Sequence, residues 1–356
     1  MTDTPITEKT DILSRTKEEI SALLSGWGEP RYRAGQIFSW LHRGASFDEM
    51  SNLPAKLRQR LAAECAILTP VIDRKLVSAK DGTVKYLFTL HDGQRIESVF
   101  MRYHHGNTVC ISSQAGCRMG CRFCASTVNG LSRGLLPSEL LGQVLAVRRD
   151  TGERVSGIVL MGIGEPLDNY ENVLRFLRLV GDPEGLNIGY RHISLSTCGI
   201  VPKIRALAEE DLPITLSISL HASSDAVRSA IMPVNRKYNI DALLSACKDY
   251  FAKTKRRISF EYTLIGGKND READALALAS LLRSRLDNMP LHVNLIPVNA
   301  VKESGFHAPS AAEAQRFADL LTKQGITATV RRKLGSDIDA SCGQLRLSAA
   351  ARDQSV

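Results

Sequence analysis

No stretch of this 356-residue chain is apolar for long enough to cross a membrane. The first twenty residues, MTDTPITEKTDILSRTKEEI, are polar and hold no apolar leader core, so a cytoplasmic protein is expected. Repeats and low-complexity tracts are absent, which argues against a solenoid or a disordered tail protein. Cysteine is too sparse for a secreted disulfide framework: there are eight in 356 residues. The excess of positive charge is only +8, with a pI near 9.1, which leans weakly towards a polyanionic partner.

What is present is an ordinary globular composition, 44% hydrophobic and 24% charged, in a chain long enough for one large α/β barrel and an appendage. Amphipathic spacing predicts helices over 17–27, 33–43 and 54–63, forming a small helical domain over 1–65. The segments 71–77, 84–90 and 95–101 alternate as strands, with Asp81-Gly82 and Asp92-Gly93 where turns are expected. They predict a β-hairpin extension over 66–106. From 107 to 346 strands and helices alternate, which predicts a parallel sheet, open or curled into a barrel. Expected strands are 108–112, 157–161, 192–196, 215–220, 258–264, 291–296 and 327–333. Expected helices are 137–149, 170–180, 201–209, 240–253 and 271–286. Residues 347–356 read as a tail.

The cysteines are unevenly spread. Cys117, Cys121 and Cys124 share one short loop, CRMGCRFC, after the first strand of the β-α series. Three thiolates are one short of the four that close a cubane cluster or a structural zinc site. A [4Fe–4S] cluster held by three cysteines leaves one iron open. A zinc site would need a fourth ligand, with Cys110 and His104 as candidates. Ligands bind at the carboxyl ends of strands in parallel α/β folds, which is where this loop falls. The second strand ends in Met161-Gly-Ile-Gly-Glu165-Pro166, a turn whose glycines permit close backbone approach.

CxxxCxxC after a first strand, with Phe123 before the third cysteine, resembles the radical S-adenosylmethionine (SAM) superfamily. The turn at Gly164-Glu165 is similar to its Gly-Gly-Glu-Pro turn. The resemblance implies a partial (βα)6 TIM-like barrel. It implies one [4Fe–4S] cluster on Cys117, Cys121 and Cys124, with SAM on the open iron. Gly164, Glu165, Ser196, Ser219, Leu220, His221 and Asn299 are then the cofactor-binding residues.

Longer segments narrow the resemblance to the RlmN/Cfr family of dual-specificity RNA methyltransferases. They include Cys110–Cys117, Met161–Tyr170, His192–Ile200, Ser217–Ala222, His292–Asn299 and Gly335–Leu345, with Tyr32–Ile37 near the N-terminus. Membership implies two SAM molecules per turnover. Cys342 is methylated by one and carries the methyl carbon. The radical from the other activates that carbon for addition to an adenine, giving a protein–RNA adduct. Cys110 resolves the adduct through a transient disulfide with Cys342, and Glu97 is the general base. C2 of adenine is electrophilic, so polar methyl transfer fails there, whereas a carbon radical adds. The implied targets are adenosine 2503 of 23S rRNA and adenosine 37 of tRNA. A flavodoxin-like electron donor and a monomeric enzyme are also implied.

Two alternatives stay open at this stage. A Cfr-type enzyme would methylate C8 of the same rRNA adenosine; the Gly-Glu-Pro-Leu-Asp-Asn-Tyr and Ser-Thr-Cys-Gly segments resemble RlmN more. A non-catalytic zinc or RNA-binding protein would need no SAM. Expected RNA contacts are Lys253, Lys255, Arg256, Arg257, Arg331, Arg332 and Lys333, with Arg118, Arg122 and Arg133 guiding RNA to the site.

Overall fold

The computed structural model describes residues 8–286, 289–299 and 305–338. Cys342 and the tail lie outside the described residues. Three helices open the chain, α1 (Lys17–Gly26), α2 (Tyr32–Leu41) and α3 (Ala55–Glu64). Thr16 starts α1 with a reciprocal cap: its hydroxyl accepts the Glu19 N–H, and the Glu19 carboxylate accepts the Thr16 N–H. Their apolar faces, Ile20, Leu24, Ile37, Phe38, Leu57 and Leu61, are buried in the same hydrophobic core as the barrel.

A ten-stranded sheet follows. Its strands are β1 (Val71–Val77), β2 (Val84–Thr89), β3 (Arg95–Tyr103), β4 (Gly106–Cys110), β5 (Val155–Leu160), β6 (Ile193–Thr197), β7 (Thr215–Ser219), β8 (Ile258–Leu264), β9 (Leu291–Pro297) and β10 (Ala328–Val330). They lie side by side in chain order. β1 to β4 are antiparallel, and every pair from β4 to β10 is parallel. The expected hairpin extension is thus the antiparallel wing of the same sheet. Gly82 and Gly93, with φ of +69° and +79°, turn its first two corners, as Asp-Gly predicts.

Helices α4 (Pro137–Thr151), α5 (Tyr170–Gly181), α6 (Val201–Ala208), α7 (Asp225–Ile231), α8 (Ile240–Thr254), α9 (Glu272–Arg285) and α10 (Ala311–Lys323) complete the series. The short α7 and the capped α10 are additions to the sequence reading. Residues at the ends of β5, β6, β7, β8 and β9, and Arg331 after β10, border one cavity. A flat sheet would hold its outer strands about 24 Å apart at 4.8 Å per strand, so the parallel strands must curl. β10 does not pair with β4 among the described residues, so the barrel is partial, as expected.

Candidate active site

The cysteine loop is closed at its base by a two-stranded ribbon, Gln114–Gly116 against Leu131–Gly134. The Cys117 N–H donates to the Gly130 carbonyl (2.8 Å). Gly116 has φ +90°, and a Cβ there would overlap the Gly130 oxygen, so only glycine fits the closure. This ribbon carries little periodic signal and was not expected.

The second-strand turn packs on the segment leading into that loop. Gly162 N–H donates to Ile111 O (3.0 Å), Ser113 N–H to Ile163 O (2.8 Å), and Glu165 N–H to the Gln114 side chain (2.9 Å). A Cβ on Gly162 would come within 2.6 Å of Ile111 O, and one on Gly164 within 2.6 Å of the Gln114 side chain. The glycines therefore dock one loop on the other and fix their spacing.

Cys117, Cys121 and Cys124 face a cavity of about 250 Å³ at the carboxyl ends of the parallel strands. Gly164, Glu165, Ser196, Ser219, His221 and Asn299 border the same cavity. Of the expected cofactor residues, Leu220 is placed differently. Its side chain is fully buried in the apolar core, its N–H donates to Glu261 O, and its carbonyl accepts from Arg228.

Glu165 is buried, and burial raises its pKa, but its carboxyl already accepts two backbone N–H groups, Leu167 (3.0 Å) and Cys198 (2.7 Å). It braces the ends of β5 and β6. His221 sits at φ +58°, with Nδ1 accepting the Thr263 N–H (2.9 Å) and its ring edge-on to Phe123. Burial, then Arg228, pushes its pKa down to about 3. The ring is neutral, and because Nδ1 accepts, its proton is on Nε2. Asn269 holds the strained His221 carbonyl (2.8 Å).

Behind the cavity lies Arg228, fully buried, on α7. It donates to Cys198 O (2.7 Å), Ser219 O (3.0 Å), Leu220 O (3.0 Å) and Asn235 Oδ1 (2.9 Å). One guanidinium thus ties the ends of β6 and β7. Its role is not legible in the sequence, because α7 is too short to show a period.

Burial raises the Cys117 thiol to about 12 and raises Cys121 further. Only bound metal would hold them as thiolates near neutrality. No group of three His, Cys, Asp or Glu among the described residues is arranged to hold a single ion. A cubane takes one cysteine per iron, so its three ligands need not converge on one point. Neither proposed fourth zinc ligand joins the loop. His104 stands in the turn before β4, at the opposite end of that strand, and Cys110 faces a different cavity. Three cysteine donors on one cavity wall, beside a glycine turn and with neither proposed fourth zinc ligand on that wall, fit a three-cysteine cluster.

That second cavity, about 430 Å³, is bordered by Val99, Met101, Tyr103 and Cys110 on one side and by Thr329–Leu334 on the other. Ile296, Asn299 and Arg331 border both cavities, so the two adjoin. Cys110 pairs with Val99 in the β3–β4 register and is buried. Glu97 lies two residues before Val99 and so on the same face of β3. It is not solvated: it is 3% exposed and ion-paired with the fully buried Lys85 at 3.0 Å.

The expected RNA contacts divide. Arg331, Arg332 and Lys333 are exposed at the second cavity. Lys255, Arg256 and Arg257 precede β8 and lie at its far end, about 20 Å of strand from the site, so they do not border it. Lys253 is engaged by Glu209. Arg133 is not a free guide either: it pairs with Asp92 (2.6 Å) and Glu139 (2.7 Å). Arg118 pairs with Asp168 (2.5 Å), whose carboxylate also accepts from Gln114. Arg122 is exposed.

The fold and the cysteine loop together define a radical SAM protein, and residues 111–279 match the Radical SAM superfamily. Residues 10–67 match the ribosomal RNA large subunit methyltransferase N-terminal domain. A probable dual-specificity RNA methyltransferase RlmN from Pelotomaculum thermopropionicum is 53% identical over 345 residues, 96% of this chain and 93% of its own. One from Alkaliphilus oremlandii is 53% identical over 340 residues, 95% and 98%. The crystal structure of a radical SAM methyltransferase from Sphaerobacter thermophilus is 44% identical, with a TM-score of 0.88 over 94% of this chain and 98% of that one. The chain belongs to the RlmN family.

Proposed function

We propose that this protein is a radical SAM RNA methyltransferase that makes 2-methyladenosine in 23S rRNA and in tRNA. The observation that carries the reading is the division of the cysteines. Cys117, Cys121 and Cys124 face one cavity, Cys110 faces its neighbour, and Ile296, Asn299 and Arg331 form a shared wall.

When bound, the iron–sulfur cluster and SAM supply the one-electron chemistry that activates the methyl carbon and accepts the electron leaving the ring. The chain's residues do the rest. Cys117, Cys121 and Cys124 hold the cluster. The Gly162–Glu165 turn, Ser196, Ser219 and Asn299 bind and orient SAM, and His221 offers an Nε2–H donor fixed by Thr263. Burial of Cys117, Cys121 and His221 keeps bulk water from the reacting groups. Cys342 carries the methyl carbon to the RNA. Glu97 takes the ring proton, and Cys110 attacks the Cys342 sulfur. The S–S bond forms as the S–CH2 bond breaks, and the methylene carbon takes a proton to become methyl.

Residues 1–65 are an accessory RNA-binding domain. Its surface supports this: Tyr32 is 61% exposed with Arg33 over its ring at 4.9 Å, and Arg60 lies over Trp27 at 4.6 Å. Arginine-backed aromatics are stacking platforms for bases. A flavodoxin-like donor supplies electrons, and the enzyme is monomeric and cytoplasmic. Mass spectrometry of nucleosides from a deletion strain tests the product. Loss of 2-methyladenosine is expected; loss of 8-methyladenosine with 2-methyladenosine intact would move the assignment to the Cfr-type reaction.

A further inference from the structure

Lys85 is fully buried, yet nothing in the chemistry above uses it. Its Nζ lies 3.0 Å from Glu97 Oε2, and that carboxylate is 3% exposed. The strand register explains the meeting. Lys85 pairs with Val99, and Val99 pairs with Cys110, so the three form one cross-strand row. Directly paired residues point to the same side of a sheet. Glu97 is two residues from Val99 and on that side too. The pair is therefore built into the face that carries Cys110 and borders the second cavity.

Buried ion pairs are poor stabilisers. Desolvation offsets most of the attraction, and an apolar pair of similar volume often serves as well. An ammonium at this place on purely structural grounds is thus a weak explanation. An ammonium held 3.0 Å from one carboxylate oxygen instead fixes the direction of the carboxylate, which a base acting on one C–H bond needs.

We infer that Lys85 is a positioning residue that fixes the Glu97 carboxylate in place and orients it for removal of the ring proton, an inference that rests on the reading of Glu97 as the base. The step acts on the protein–RNA adduct after its one-electron oxidation, with an iron–sulfur cluster as acceptor. The ring C–H bond breaks, its proton goes to the Glu97 carboxylate, and its electron pair stays in the ring and restores aromaticity. Lys85 takes no part in binding SAM or in methylating Cys342, which precede this step.

The test uses the reconstituted enzyme with a 23S rRNA fragment. It compares wild type, Lys85→Met, Glu97→Gln and the double variant. Three quantities are followed: S-methylation of Cys342, 5′-deoxyadenosine formation, and the covalent enzyme–RNA adduct on denaturing gels. Lys85→Met is expected to keep the first two, accumulate adduct and release product about 10²-fold more slowly, the size of a lost general base. On a Glu97→Gln background Lys85→Met should change nothing further, because it acts through that carboxylate. Wild-type product release by Lys85→Met, or added slowing in the double variant, would overturn the inference. The double variant is neutral on both sides, so it keeps the test open if Lys85→Met misfolds. Loss of Cys342 methylation in both would show a merely structural lysine and also overturn it. Normal product release by Glu97→Gln would instead remove the reading of Glu97, and the role of Lys85 with it.

Discussion

Replacing Arg228 by Met should cost stability in an amount the geometry sets. The guanidinium makes four close hydrogen bonds, to the Cys198, Ser219 and Leu220 carbonyls and the Asn235 amide oxygen at 2.7 to 3.0 Å, and a longer one to the Tyr238 carbonyl at 3.4 Å. Methionine fills part of the volume but donates nothing, so the four close acceptors lose their donor. At about 1 kcal/mol each after relaxation, the low end for a stranded buried group, the loss is roughly 4 kcal/mol. Removing the buried charge itself returns some desolvation, which is why the low end is used. Unfolding entropy of ~2.1 cal/mol/K per residue gives roughly 0.75 kcal/mol per kelvin for 356 residues. The expected fall in Tm is therefore about 5 °C by scanning calorimetry of the apoprotein. SAM binding to reconstituted enzyme should weaken as well, because Ser219 moves with its strand end. A variant melting within 1 °C of wild type would refute the claim that this one side chain ties β6 to β7.

Other consequences are equally checkable. His42 is buried against the Phe38 ring at 4.1 Å, and burial pushes its pKa down to about 4. The unfolded chain protonates it near 6.5, so its stability contribution is complete above that pH and is lost as pH falls towards 4. Between pH 7 and 5 that is about 2 kcal/mol, and urea unfolding of His42→Gln should show a correspondingly shallower decline. Gly116→Ala should disrupt the base of the cysteine loop without unfolding the barrel: iron per chain drops after anaerobic reconstitution while the far-ultraviolet circular dichroism is unchanged. Full iron loading of that variant would show that the ribbon does not set the cysteine spacing.

Much of this was legible before the structure. The strand series emerged because each strand is short, apolar and bounded by helices with their own period. Cys117, Cys121 and Cys124 were visible because three thiols in eight residues are improbable by chance. What stayed hidden depends on contacts distant in sequence. Lys85 reads as the polar position of an alternating strand; only the register places it beside Glu97. Arg133 reads as a free cation because Asp92 and Glu139 come from other elements. Lys255, Arg256 and Arg257 read as RNA contacts by charge, and charge does not say which end of a strand a loop occupies; they stand at the end of β8 away from the site. Leu220 was grouped with its polar neighbours, but strand alternation turns its side chain into the core.

The most direct test of the cysteine division is Cys110→Ala, incubated with SAM, reductant and the 23S rRNA fragment. The account predicts an enzyme methylated on Cys342 and bound covalently to RNA, with no free methylated RNA. Catalytic release of methylated RNA by that variant, with no adduct, would contradict it.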